Sequence, residues 1–183
     1  MDWTARLLEQ LTFHWDHQVR PGLEGLTDAE YLWEPAPGAW SIRPRPEART
    51  AIFGGAGDLV AEFEFPEPVP APVTTIAWRL GHVIVGVFGT RNASHFGGPP
   101  MDYFTVEWPP DARSAVAMLD EVYAGWVEGV RGLDEARLAE PVGEAEGSHA
   151  AAPYADLVLH IHREAIHHLA EVALLRDLHR AQR

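Results

Sequence analysis

Between Pro153 and about Leu178 the chain has no glycine and no further proline, and its apolar residues return at helical intervals. The stretch reads as one long helix, with Pro153 suited to its first turn. Three other stretches read the same way. In Trp3 to Leu26, residues Leu7, Leu8, Leu11, Trp15 and Val19 keep the spacing, and Pro21 and Gly22 disturb or end it. Thr74 to about Phe96 is a second helix, and Asp111 to Leu133 a third, with Asp111 as N-cap. Thr27 and Glu30 form a capping-box pattern for a short helix. The connections are long. Residues 34–49 and 97–110 read as loops and 134–150 as a mixed connector. Residues 51–73 hold a possible strand in LVAEFEF, where Ala61, Phe63 and Phe65 alternate with acids, before the proline-rich FPEPVPAP. This pattern predicts an all-α four-helix bundle with a long irregular or small β excursion between helices 1 and 2. No repeat or linker divides the chain, so residues 1–183 are expected to form a single domain.

Composition narrows the partners. The 14 basic residues face 27 acidic ones, a net charge of −13, and no basic stripe is present. Nucleic acid and anionic membrane surfaces are therefore not expected partners; a small-molecule substrate is. There is no cysteine, which excludes disulfides, thiolate metal sites and a cysteine nucleophile. No run of about 18 apolar residues occurs, and the first residues lack the basic start and apolar run of a signal peptide. Cytoplasm is the expected location.

The last helix carries an anomaly. HIHREAIHHLAEVALLRDLHR holds five of the ten histidines, with Glu164 and Glu171. At about 100° per residue, Leu157, Ile161, Glu164, Ala165, Glu171, Val172 and Leu175 fall within about 60° of His168. Glu164 and His168 are thus expected one turn apart inside an apolar stripe, where a carboxylate is costly unless paired or bound to a metal. His162 and His167 point away from that stripe. On helix 2 the same projection centres His82 on a face with Thr75, Trp78, Val85, Gly86, Gly89, Ala93 and Phe96. Gly86 and Gly89 lower helix propensity, which implies close packing or free space beside the imidazole. Ligands from facing helices of a bundle meet in its interior, so His82, Glu164 and His168 are the candidate two-histidine, one-carboxylate metal site. The far face of the last helix is also apolar, with Leu159, Ile166, Ala170 and Ala173, which points to a homodimer.

The four-helix plan, the segments AWSIRP (39–44) and WRLGHVIVG (78–86), and the E-x-x-x-H of REAIHHLAE resemble the DinB-like superfamily. That superfamily includes YfiT-like proteins read as metal-dependent hydrolases and the mycothiol-dependent maleylpyruvate isomerases. The resemblance covers most of the chain apart from 51–73. It implies a four-helix bundle binding a divalent metal through His82 and the pair Glu164 and His168, with Glu first in that pair as in the isomerases. It also implies a low-molecular-weight thiol as co-substrate of an S-transferase or isomerase.

Three protein ligands leave a coordination position for water or substrate. Zinc suits the donor set best, with nickel and iron as alternatives. Because the chain has no cysteine, any thiol must come from a small cofactor. The alternatives are a metal-dependent hydrolase and a non-catalytic dimeric stress-response or binding bundle. His14 and His17 are the candidates for a general base. Arg43 or Arg45 and Arg79 are candidates for binding a substrate carboxylate through the guanidinium fork. No H-E-x-x-H, phosphate-binding loop, dinucleotide fingerprint or nucleophile elbow is present.

Overall fold

The computed structural model describes residues 1–182. The chain is mostly helical, with one small antiparallel sheet. Helix α1 starts at Trp3, behind Asp2, whose carboxylate accepts the Ala5 N–H. It runs Trp3–His14, widens into a π turn over Trp15–Val19 and closes at Arg20–Gly22. The predicted capping box is formed: Thr27 and Glu30 exchange hydrogen bonds at the start of α2 (Asp28–Tyr31). Helix α3 comprises Ile76–His82, a π turn over Val83–Gly89, and Thr90–Phe96. Helix α4 (Ala112–Arg131) begins at Asp111, whose side chain accepts the Ser114 N–H. The 134–150 connector contains the short helix α5 (Glu135–Ala139) and a 3₁₀ turn at Glu144–His149. Helix α6 spans Tyr154–Ala181 with Pro153 at its N-cap, one residue before the first turn.

Helices α1, α3, α4 and α6 share one core. Leu11, Ile76, Leu80, Ile84, Phe88, Leu119, Trp126 and Ile161 meet there fully buried. Trp15 lies flat on Tyr123, ring centroids 3.6 Å apart.

The excursion is a true sheet. Strands β1 (Ile42–Pro44), β2 (Ile52–Gly54) and β3 (Leu59–Phe63) are antiparallel in the order β1-β3-β2. Two expectations change here. Residues 42–44, read as loop, pair with β3 through Ile42 and Ala61. The alternation in LVAEFEF places acids outward, yet Glu62 is 1% exposed. Arg43 on the neighbouring strand explains the reversal: its Nε donates to Glu62 Oε2 at 2.8 Å. The backbone N–H groups of Ser41 and Arg49 donate to the same carboxylate, satisfying the buried charge.

The sheet is locked to α3. Trp78 Nε1 donates to the Glu62 carbonyl at 2.6 Å. Trp40 exchanges backbone hydrogen bonds with Val73 and Thr75, and Thr75 caps α3 by accepting the Trp78 N–H. The AWS part of AWSIRP therefore sets the start of the helix that carries His82.

Candidate metal centre

Three glycines on α3 shape the site. A Cβ on Gly81 would lie 2.9 Å from the Trp108 ring; one on Gly86 would collide with the Tyr103 hydroxyl; one on Gly89 would collide with Met101 sulfur. The 97–110 loop thus lies along a glycine-lined groove, with Met101, Tyr103 and Trp108 seated in turn. The sheet backs this loop from outside. Trp108 Nε1 donates to the Gly54 carbonyl at 2.7 Å, and β2 runs so close that a Cβ on Gly54 would collide with the Tyr103 carbonyl. The groove delivers the Tyr103 hydroxyl to His82 Nδ1, 2.6 Å away.

The π turn after His82 lies in the same groove. Thr90 N–H reaches back five residues to Val85 O, the Thr90 hydroxyl donates to the same carbonyl at 2.9 Å, and Arg91 Nη1 donates to Gly86 O at 2.6 Å. The widened turn therefore keeps the Val85 and Gly86 carbonyls satisfied. Such turns recur at functional sites.

Across from His82 stands α6. The ring centroids of His82 and His168 are 4.7 Å apart and nearly perpendicular. His168 Nε2 lies 3.5 Å from Glu164 Oε2, and its Nδ1 lies 2.8 Å from Glu171 Oε2. Arg79 joins the group, with Nε 3.0 Å from Glu171 Oε2 and Nη1 3.3 Å from His168 Nδ1. Arg79 Nη1 and Glu171 compete for His168 Nδ1; with the shorter contact made, Nδ1–H donates to Glu171, Arg79 Nη1 does not donate to that nitrogen, and Nε2 keeps its lone pair. His82 Nδ1 faces the Tyr103 hydroxyl in the same way, and when Nδ1 donates to the phenol oxygen its Nε2 likewise keeps a lone pair. Both imidazoles thus have an outer partner on Nδ1, the arrangement that orients histidine ligands. Trp78 stacks on His82 at 5.6 Å.

Electrostatics favour a neutral ligating histidine. Burial, then the neighbouring His168 and Arg79, hold the His82 pKa down at about 4. Burial raises the Tyr103 pKa, so its phenol stays protonated. Burial lowers the Arg79 pKa, and Glu171 opposes that. For Glu164, burial acts upward but hydrogen bonding from Arg163 and the charges around it bring its pKa below the usual carboxylate value.

The structure also corrects the projection. The buried face of α6, with Tyr154, Leu157, Val158, Ile161, Ala165, Leu169 and Val172, centres near Ala165. That is about 60° from His168. Glu164 and His168 flank the core, with side chains 30% and 12% exposed. His162, expected to point away, is buried beside Trp126 at 6.1 Å, and burial holds its pKa at about 4 against a Leu7 backbone hydrogen bond.

A second cluster is present. Among the described residues, His167, His168 and Glu171 are the one trio of histidine or carboxylate residues whose ligand atoms lie within 4.8 Å of one another. His82, Glu164 and His168 are drawn together less tightly. Tyr103 was missed in the sequence, and only the glycines of α3 hinted that something lay against His82.

The remaining candidates lie elsewhere. His14 lines a small cavity with Leu169, Ala173 and Arg176, and His17 is exposed, stacked on Phe13 at 4.4 Å. Among the described residues no hydrogen bond, ion pair or ring contact joins either to His82, Glu164 or His168. Arg43 is 8% exposed and bound to Glu62, Glu34 and the Ala39 carbonyl. Arg45 holds the carbonyls of Gly55 and Gly57. The sheet holds both guanidiniums away from the centre; Arg79 alone of the arginine candidates stands in it.

The model of the DinB superfamily matches residues 49–172, and the chain belongs to that superfamily. The match runs through the excursion, which the motif resemblance had set apart, and starts after AWSIRP. No curated protein and no solved structure matches the chain. No helix among the described residues is long and apolar enough to cross a membrane.

Proposed function

We propose that the chain is a divalent-metal-dependent enzyme acting on a small molecule, with His82, Glu164 and His168 as metal ligands. The observation that carries this is the pair of facing imidazoles, each held at Nδ1 from outside, by Tyr103 and Glu171, an arrangement that directs Nε2 to a ligand. Two imidazoles and one carboxylate suit zinc, nickel or iron. A metal there would supply Lewis acidity toward a carbonyl, a water or a thiol. Tyr103 and Glu171 keep the histidine tautomers, and Arg79 offers a guanidinium beside them. With no cysteine in the chain, thiol chemistry draws on a small-thiol co-substrate, in an S-transferase or isomerase. A hydrolase would use water at the same position.

The four long helices are taken as a four-helix bundle and residues 1–183 as one domain. Leu159, Leu174 and Leu178 are exposed on α6 and support a homodimer, which sedimentation analysis tests.

The deciding experiment is metal analysis by mass spectrometry on untagged protein. Near one equivalent in the wild type, lost in His82→Ala and in Glu164→Ala, supports the site. No uptake from zinc, nickel or iron solutions overturns it. Assaying loaded protein with an electrophile, with and without a small thiol, separates transferase from hydrolase.

A further inference from the structure

A separate cleft of about 240 Å³ lies between the C-terminal half of α3 and α4. Phe96, Met101, Met118 and Val122 give it an apolar lining, with Glu121 as its one charged lining residue. Its polar feature is Asn92, which is 7% exposed. The amide orientation follows from its partner. Nδ2 donates to the Val122 carbonyl at 2.7 Å, and a carbonyl can only accept. Oδ1 is thereby left over, and among the described residues it has no hydrogen-bond partner. A buried acceptor without a donor is costly. Two glycines bring the backbone close to Asn92: a Cβ on Gly125 would lie 3.0 Å from its Nδ2, and one on Gly98 would lie 3.1 Å from its Cβ.

We propose that this cleft binds a small uncharged molecule with an apolar body and one O–H or N–H donor, which Asn92 Oδ1 accepts. The volume fits the class, since a cavity of about 150 Å³ holds benzene. Unbranched thioethers of Met101 and Met118 allow the cleft to open around an occupant. Among the described residues no basic side chain lines it, and Glu121 opposes anions. The site is distinct from the metal centre, although Met101 belongs to the loop that presents Tyr103.

Phenol, anisole and benzoate, titrated into the ¹⁵N-labelled full chain, provide the test. Phenol is expected to bind at millimolar concentration, shifting the Gly89, Gly98 and Gly125 amides, with anisole about fivefold weaker or more for want of a donor. Benzoate is expected to leave those amides unmoved. Asn92→Leu should bring phenol and anisole to equal affinity. Met118→Trp, which fills the cleft from α4 and keeps the Asn92 side chain, should abolish both and keeps the test decisive if Asn92→Leu does not fold. Equal binding of phenol and anisole to the wild type, shifts outside these glycines, or no binding would each overturn the assignment.

Discussion

The Tyr103 hydroxyl lies 2.6 Å from His82 Nδ1, in space that a side chain at position 86 would fill. One glycine on α3 therefore decides whether a distant loop can orient an imidazole. Tyr103→Phe should leave the fold intact and lower metal affinity about tenfold, the usual cost of an outer-sphere partner. Gly86→Ala should act in the same direction and more strongly, despite its better helix propensity, because the phenol must move. Competition with a chelator of known affinity measures both.

The two clusters that overlap at His168 make opposite predictions. With His82, Glu164 and His168 as ligands, His167→Ala leaves metal content at the wild-type level. With His167, His168 and Glu171 as ligands, His167→Ala abolishes it and His82→Ala does not. Metal analysis of the two variants side by side decides between them.

Arg176 and Glu30 tie the end of α6 to α2, at 3% and 4% exposure. Arg176 Nε donates to Glu30 Oε1 at 3.2 Å, and the same guanidinium reaches the carbonyls of Gly22 and Glu24. Breaking the pair with Arg176→Met should cost about 3 kcal/mol, because the buried Glu30 would keep only the half-exposed Arg180, whose Nε lies 3.5 Å from Oε1. Urea unfolding measures this.

The same pair should show in acid. Burial pushes the Glu30 pKa up, but hydrogen bonds from Thr27 and Arg176 prevail and hold it at about 2, below its ordinary 4.5. A depressed folded pKa means that this stability is present above about 4.5 and is lost as pH falls toward 2. The urea midpoint of the wild type should fall across that window, and that of Arg176→Met should fall less.

Gly55 has a φ of 142°, and a Cβ there would lie 2.7 Å from the Trp108 ring. Gly55→Ala should destabilise the protein by about 1–3 kcal/mol through backbone strain. Because Trp108 belongs to the loop carrying Tyr103, it should also weaken metal binding. A Gly55→Ala variant with wild-type stability would contradict this account.

Much of the helical plan was legible in the sequence for a local reason. The N-caps at Thr27 and Asp111 and the spacing of Leu7, Leu8 and Leu11 act over three or four residues, and their effect is visible along the chain itself. The pairing of Glu164 with His168 was legible on the same ground, as an i, i+4 relation on one helix. Contacts between distant segments were not. Glu62 turns inward because Arg43 meets it from another strand, so the outward acid pattern misled. His162 is buried because α6 rotates about 60° from the projected stripe, a rotation set by packing against α1, α3 and α4. Tyr103 reaches His82 only because Gly86 leaves room and the sheet presses its loop inward. The sequence by itself determined the helices, their caps and the residues able to ligate a metal, since these follow from short-range periodicity and side-chain chemistry. Only the tertiary structure decided which atoms of those residues meet, because that depends on burial and on partners 20 to 150 residues away.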